Sequence, residues 1–188
     1  MKRILLPLIL MPGAAFAHSG HATSATVLSG IAHPLGGADH LLAMVAVGLW
    51  AARFGGRAAW ALPAAFVAAM VAGAVAGLIG LPLPGVEPML LASVLLIGLA
   101  TALALRPSVR VAVPVVALFG LFHGHAHGAE APAAGQLAYL AGFVLTTAGL
   151  HLLGLGLGRR LIAVGRGWLL QGLGGATALA GLGLAFAG

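Results

Sequence analysis

Residues 30–50 read Gly30-Ile31-Ala32-His33-Pro34-Leu35-Gly36-Gly37-Ala38-Asp39-His40-Leu41-Leu42-Ala43-Met44-Val45-Ala46-Val47-Gly48-Leu49-Trp50. The second half of this stretch is apolar on every side, as a helix enclosed by lipid or by other helices must be. The first half sets His33, Asp39 and His40 into the same apolar surroundings. Ionisable groups within membrane segments are costly and are functional candidates by default. On a continuous helix His33 and His40, seven apart, would share a face. Pro34 has no N–H to donate, and Gly36-Gly37 weakens a helix further. The stretch therefore predicts a broken helix, with a second half-helix opening at Asp39 or its neighbours and running through Leu41, Leu42, Ala43 and Met44. Irregular backbone at membrane depth is tolerated only where protein or a water-filled cavity surrounds it. Transporters present ion sites on such breaks. Asp39 reads as a ligand, as a carboxylate that orients a histidine, or as a structural partner in a buried Asp–His pair.

Composition extends this reading to the whole chain. Of 188 residues, 61% are hydrophobic and 6% charged, with a mean hydropathy of +1.12. A soluble domain carries about 25% charged residues, and a disordered chain is poor in apolar ones. Both classes are excluded, leaving an integral membrane protein. The pI near 11.8 does not signal nucleic acid, because the basic residues are scattered in pairs and form no basic face. Cysteine is absent, which removes disulfides, thiolate metal sites and cysteine nucleophiles.

Residues 1–17 predict a cleaved signal peptide. Lys2 and Arg3 form the positive end, Ile4 to Met11 the apolar run, and Ala15-Phe16-Ala17 the small-x-small cleavage site. Cleavage there leaves His18 as the mature N-terminus, outside the cytoplasm, and residues 18–188 as a single transmembrane domain. Apolar stretches at about 24–50, 58–81, 88–105, 109–122 (to 127 with its histidine-rich end), 133–157 and 168–186 predict an all-α, polytopic bundle of about six transmembrane helices, the first of them broken. Threaded from an outside N-terminus, Arg53, Arg57, Arg106, Arg110, Arg159, Arg160 and Arg166 all fall on the cytoplasmic side, as the positive-inside rule requires. Glu87, Glu130 and the C-terminus fall outside. Glycine is frequent, at 30 residues, and small residues such as Gly73 and Gly77 let membrane helices approach closely.

A second cluster, Phe122-His123-Gly124-His125-Ala126-His127-Gly128-Ala129-Glu130, lies at the outer end of the fourth span. His123, His127 and Glu130 share one helix face, and an i, i+4 histidine pair grips transition metals. His125 points elsewhere, as a gate, a relay or an outer ligand. His151 stands alone in the fifth span, either as a packing residue with Thr146 or Thr147 as partner or as part of an ion path. His18 and His21 would belong to the mature N-terminal tail, where a terminal amine beside an imidazole chelates Ni²⁺ or Cu²⁺. His18, His21, His125 and His151 are thus accessory candidates. Nitrogen-rich donors without thiolate suit Ni²⁺, Cu²⁺, Co²⁺ or Zn²⁺, and the donor types do not choose among them.

The motifs His33-Pro34-x-x-Gly37-x-Asp39-His40, running on to Trp50, and Phe122-His123-Gly124-His125-Ala126-His127-Gly128-Ala129-Glu130 resemble the HupE/UreJ family, as do the signal followed at once by His18 and the six spans. The resemblance covers essentially the whole chain. It implies a small permease, not an enzyme, in the bacterial inner membrane, supplying Ni²⁺ as substrate for hydrogenase or urease maturation. On the family pattern His33, Asp39 and His40 would form one site and His123 and His127 the other. The charges, read apart from the resemblance, suggest a route: capture at Glu130 and His127 with His125, His18 and His21, passage to His33, Asp39 and His40, with His123 as a bridge and His151 as an exit ligand or proton acceptor. Its partners are a divalent metal ion and the lipid bilayer, with no nucleic acid and the oligomeric state open. Two rivals stand beside this reading. One is an outer metal-holding or assembly factor. The other is an intramembrane metalloenzyme, against which stand the missing His-Glu-x-x-His signature and the lack of a serine in a nucleophile elbow.

Overall fold

The computed structural model describes residues 26–187; the expected signal segment, His18 and His21 lie outside the described residues. These residues form α1 (Val27–Gly36), α2 (Ala38–Ala51), α3 (Ala58–Leu78), α4 (Val86–Ala102), α5 (Val109–Ala129), α6 (Gln136–Ala163) and α7 (Gly167–Ala187). The protein is an all-helical membrane bundle. Helices α3, α5, α6 and α7 are each long and apolar enough to cross a membrane. The α1–α2 pair, bent by 89° at its break, has the geometry of a broken span or a re-entrant loop and makes a fifth candidate crossing when taken as one span. At 17 residues, α4 is shorter, about 26 Å.

The break falls at Gly37, three residues beyond Pro34. Gly37 is extended (φ −103°, ψ 119°) and serves at once as the end of α1 and the start of α2. Thr26 and Ser29 close a reciprocal cap on α1, with Ser29 N–H donating to Thr26 Oγ1 (3.1 Å) and Thr26 N–H to Ser29 Oγ (2.9 Å). At the other end of the chain's polar pattern, α6 runs past the expected limit at residue 157 and carries Arg159 and, in its last turn, Arg160. Arginine stems lie along apolar surface while their heads reach water, so a helix need not stop where its charges begin.

Helices pair through glycines. Along α5, Gly120, Gly124 and Gly128 face the backbone of Phe66, Met70 and Ala74 on α3, which runs parallel to it. Gly48 and Gly154 bring α2 against α6, Gly98 and Gly174 bring α4 against α7, and Gly30 and Gly142 bring α1 against α6. Lipid supplies no net hydrophobic drive between helices, so close backbone contact does the holding. At Gly124 a Cβ would collide with the Met70 carbonyl. Gly124→Leu is expected to cost about 1–3 kcal/mol of bundle stability or more. Gly149→Leu, where no atom lies within 4 Å, should be neutral. Thermal unfolding of both variants in detergent checks this.

Packing gathers the arginine-bearing turns at one end. Trp50 Nε1 donates to the Leu105 carbonyl (3.0 Å), Arg53 reaches the Thr101 carbonyl (3.5 Å), and Gln171 donates to the Ala102 carbonyl (3.2 Å). The Arg159 guanidinium lies 5.3 Å over the Trp60 ring. The acidic residues Glu87 and Glu130 begin α4 and end α5 at the opposite end. The seven arginines therefore share one end of the bundle, as the threading requires. Outward faces carry Leu96, Leu145, Leu153 and Leu179, exposed apolar side chains suited to lipid.

Candidate metal centre

Three local features aim the polar side chains. The break at Gly37 ends α1 just beyond His33 and starts α2 just before Asp39, so one irregular residue sets the half-buried Asp39 and His40 beside the exposed His33. The glycine edge of α5 presses against α3, and His123 and His127, each one residue before a glycine of that edge, are 0% and 1% exposed. The stripe Tyr139, Phe143, Thr147 and His151 of α6, one residue every turn, is buried opposite them.

These elements bring both sequence motifs into one cluster. The His33 ring meets the His127 ring edge-on at 4.7 Å between centroids. His127 meets His40 at 4.4 Å, and His40 meets His123 at 4.9 Å. Tyr139 flanks His33 at 5.6 Å and Phe143 lies 4.0 Å from His127. Phe66 abuts His123 at 5.5 Å and His151 at 4.9 Å. The rings form an unbroken file: Tyr139, His33, His127, His40, His123, Phe66, His151. The two histidine groups that the sequence motifs separate are thus a single cluster.

Hydrogen bonds fix two of the ring orientations. Asp39 Oδ1 lies 2.9 Å from His40 Nδ1. A carboxylate only accepts, so His40 donates from Nδ1 and keeps its lone pair on Nε2. Asp39 is thus placed to orient His40, as carboxylates do for histidines around bound metals; the same bond also fits a structural Asp–His pair. Ser93 Oγ lies 2.6 Å from the Leu90 carbonyl and 2.9 Å from His123 Nε2. The hydroxyl proton goes to the carbonyl, so Ser93 accepts from His123 Nε2–H and the lone pair of His123 is on Nδ1. Neither His40 Nε2, His123 Nδ1, nor either ring nitrogen of His127 has a hydrogen-bond partner, and all are buried. Left so, each costs about 1–3 kcal/mol. Unpartnered imidazole nitrogens close to one carboxylate suit a borderline divalent cation. Nearer the acidic end, donor atoms of His33, His127 and Glu130 lie within 4.8 Å of one another, with His33 and Glu130 exposed and His127 buried. His127 belongs to both groups.

The other candidates fall elsewhere. His125 Nε2 donates to the Leu81 carbonyl at 2.7 Å, tying α5 to the turn before α4, and its ring stands outside the file. Neither threonine hydroxyl is the partner of His151: Thr146 Oγ1 donates to the Ile31 carbonyl (3.1 Å), Thr147 Oγ1 is unpartnered, and the His151 ring has only the Thr147 backbone carbonyl, one turn back, as a partner. Sequence reasoning missed Ser93, Phe66, Tyr139 and Phe143. Ser93 offered one signal, a polar residue amid the apolar run of α4; the four-residue spacing of Tyr139 and Phe143 from Thr147 and His151 offered another.

Comparison with known proteins agrees with the two motifs. The family model described as HupE / UreJ protein matches residues 6–184. The chain is 42% identical over 180 residues to Protein HupE of Rhizobium leguminosarum bv. viciae, covering 95% of this chain and 94% of that one. No solved structure matches it. Motifs, helical architecture and near-complete coverage together place the chain in the HupE/UreJ family.

Proposed function

We propose that this protein is a permease that carries a transition-metal ion, Ni²⁺ first, across the bacterial inner membrane to supply a hydrogenase or urease. The observation that carries the reading is the single cluster of His33, His40, His123 and His127 at a helix break, with buried, unpartnered ring nitrogens on His40, His123 and His127 and Asp39 bonded to His40. A soluble partner cannot reach such a site, but an ion that sheds part of its water can. The ion is captured at Glu130, His33 and His127 on the outer side, then passes to His40 and His123. The arginine end faces the cytoplasm. With the inside negative, full transit of a divalent cation is favoured by about 4.6 kcal/mol per 100 mV, so no coupling ion is needed energetically. Imidazoles without a closed four-ligand cage bind weakly enough for release. Co²⁺, Cu²⁺ and Zn²⁺ suit the same donors.

A second reading, an outer metal-holding factor, draws support from the half-exposed His33, His127 and Glu130 group. One experiment separates them. Purified protein in proteoliposomes is expected to show saturable uptake of radioactive Ni²⁺, with Co²⁺, Zn²⁺ and Cu²⁺ as ranked competitors. Tight binding without uptake would sink the permease and favour the holding factor.

A further inference from the structure

The file of rings does not end at the four-histidine cluster. Beyond His123 it passes through Phe66 to His151. On α6, Phe143 touches His127, and His151 lies eight residues further, about 12 Å along the helix towards the arginine end. His151 and Thr147 are both 0% exposed. The hydroxyl of Thr147 lacks a hydrogen-bond partner, and the His151 ring has none beyond the Thr147 backbone carbonyl on its own helix. Residues four apart on a helix lie one above the other, so these polar atoms are on one buried face. Here α6 is held tightly to α2, with Gly48 against the His151 carbonyl and Gly154 against the Val45 carbonyl. If packing were the only demand on these positions, leucine and valine would meet it without burying polar atoms that are costly to leave unsatisfied.

We propose that Thr147 and His151 form a second, inner station for the transported divalent cation, separated from the four-histidine cluster by the Phe66 ring. The inference rests on the permease reading. An imidazole nitrogen and a hydroxyl oxygen, completed by water, hold a borderline cation more weakly than several imidazoles do. A weak station after a stronger one is what conduction needs. The fully buried Phe66 side chain keeps the two stations from merging, and the ion moves on when that ring swings aside.

The test compares wild type, His151→Leu, His151→Gln and Thr147→Val, with Ni²⁺ as the probe. Two quantities are read: equilibrium binding in detergent and uptake rate at saturating Ni²⁺ in proteoliposomes. His151→Leu is expected to keep the affinity of the cluster within about twofold yet lower uptake about tenfold, the scale of losing one metal-orienting group. His151→Gln, which keeps an acceptor, should recover part of the rate, and Thr147→Val should fall between. The thermal midpoint of His151→Leu should equal or exceed that of wild type. Unchanged uptake by His151→Leu overturns the inner station. So does joint loss of binding, uptake and thermal stability, which marks a packing residue. If His151→Leu does not fold, His151→Gln and Thr147→Val decide on the same rate-without-affinity criterion. Failure of the wild type to take up Ni²⁺ overturns the permease reading itself, a different result from normal wild-type uptake with no effect at His151.

Discussion

Asp39→Asn is expected to lower saturable Ni²⁺ uptake by 10–100-fold, about the range for removing a group that orients a metal-binding histidine. The physical cause is the bond from His40 Nδ1 to Asp39 Oδ1 at 2.9 Å. The carboxylate can only accept, so it fixes one tautomer and leaves the buried Nε2 of His40 as a lone pair. An asparagine can turn its NH₂ group to the ring and stabilise the opposite tautomer, which puts a proton on the nitrogen that should meet the ion. The same change removes a negative charge beside the path of a dication. Glu87 and Glu130 are exposed at the bundle end and cannot replace it. Asp39→Glu keeps the charge but moves the oxygen outward by one methylene, so partial activity is expected. Uptake in proteoliposomes of equal protein content is the measurement. Wild-type rates for Asp39→Asn would remove the carboxylate from the mechanism.

Much of this arrangement was legible because it is local. The apolar runs fix the helices, Pro34 and Gly36-Gly37 fix the break, and the spacing of His123 and His127 fixes a shared face. The break itself lies at Gly37 and the second half-helix opens at Ala38, as the sequence predicts. What could not be read is what crosses between helices. That His33 meets His127, or that Ser93 meets His123, depends on how α1, α4 and α5 dock, and no periodicity encodes a docking angle. The 89° bend is of the same kind. His125 shows the limit most plainly: it belongs to the same short motif as its neighbours, yet its partner is a carbonyl 44 residues away in sequence. The extent of α6 was misjudged for another reason. Hydropathy reports where lipid ends, whereas backbone hydrogen bonding carries a helix on past its first arginines.

The pair His125 and His127 turns that difference into the sharpest expected contrast. His127→Ala should reduce uptake to the level of empty liposomes and weaken Ni²⁺ binding at equilibrium. His127 is the junction of the site: its ring contacts His33 and His40, and its donor atoms join those of His33 and Glu130. Without it the outer donors have no continuous route to His40 and His123, and neither group retains enough imidazoles to hold a partly dehydrated ion. His125→Ala should act on the fold instead. It leaves the Leu81 carbonyl without its 2.7 Å partner, a loss of about 1–3 kcal/mol where that group is shielded from water. Its signature is a lower thermal midpoint with Ni²⁺ affinity retained. If instead His125→Ala abolished binding at unchanged stability, the division of this motif into one metal-facing and one structural histidine would be wrong. The two residues differ by two positions and less than one helical turn, so the contrast tests how their faces are used, not where along the membrane they lie.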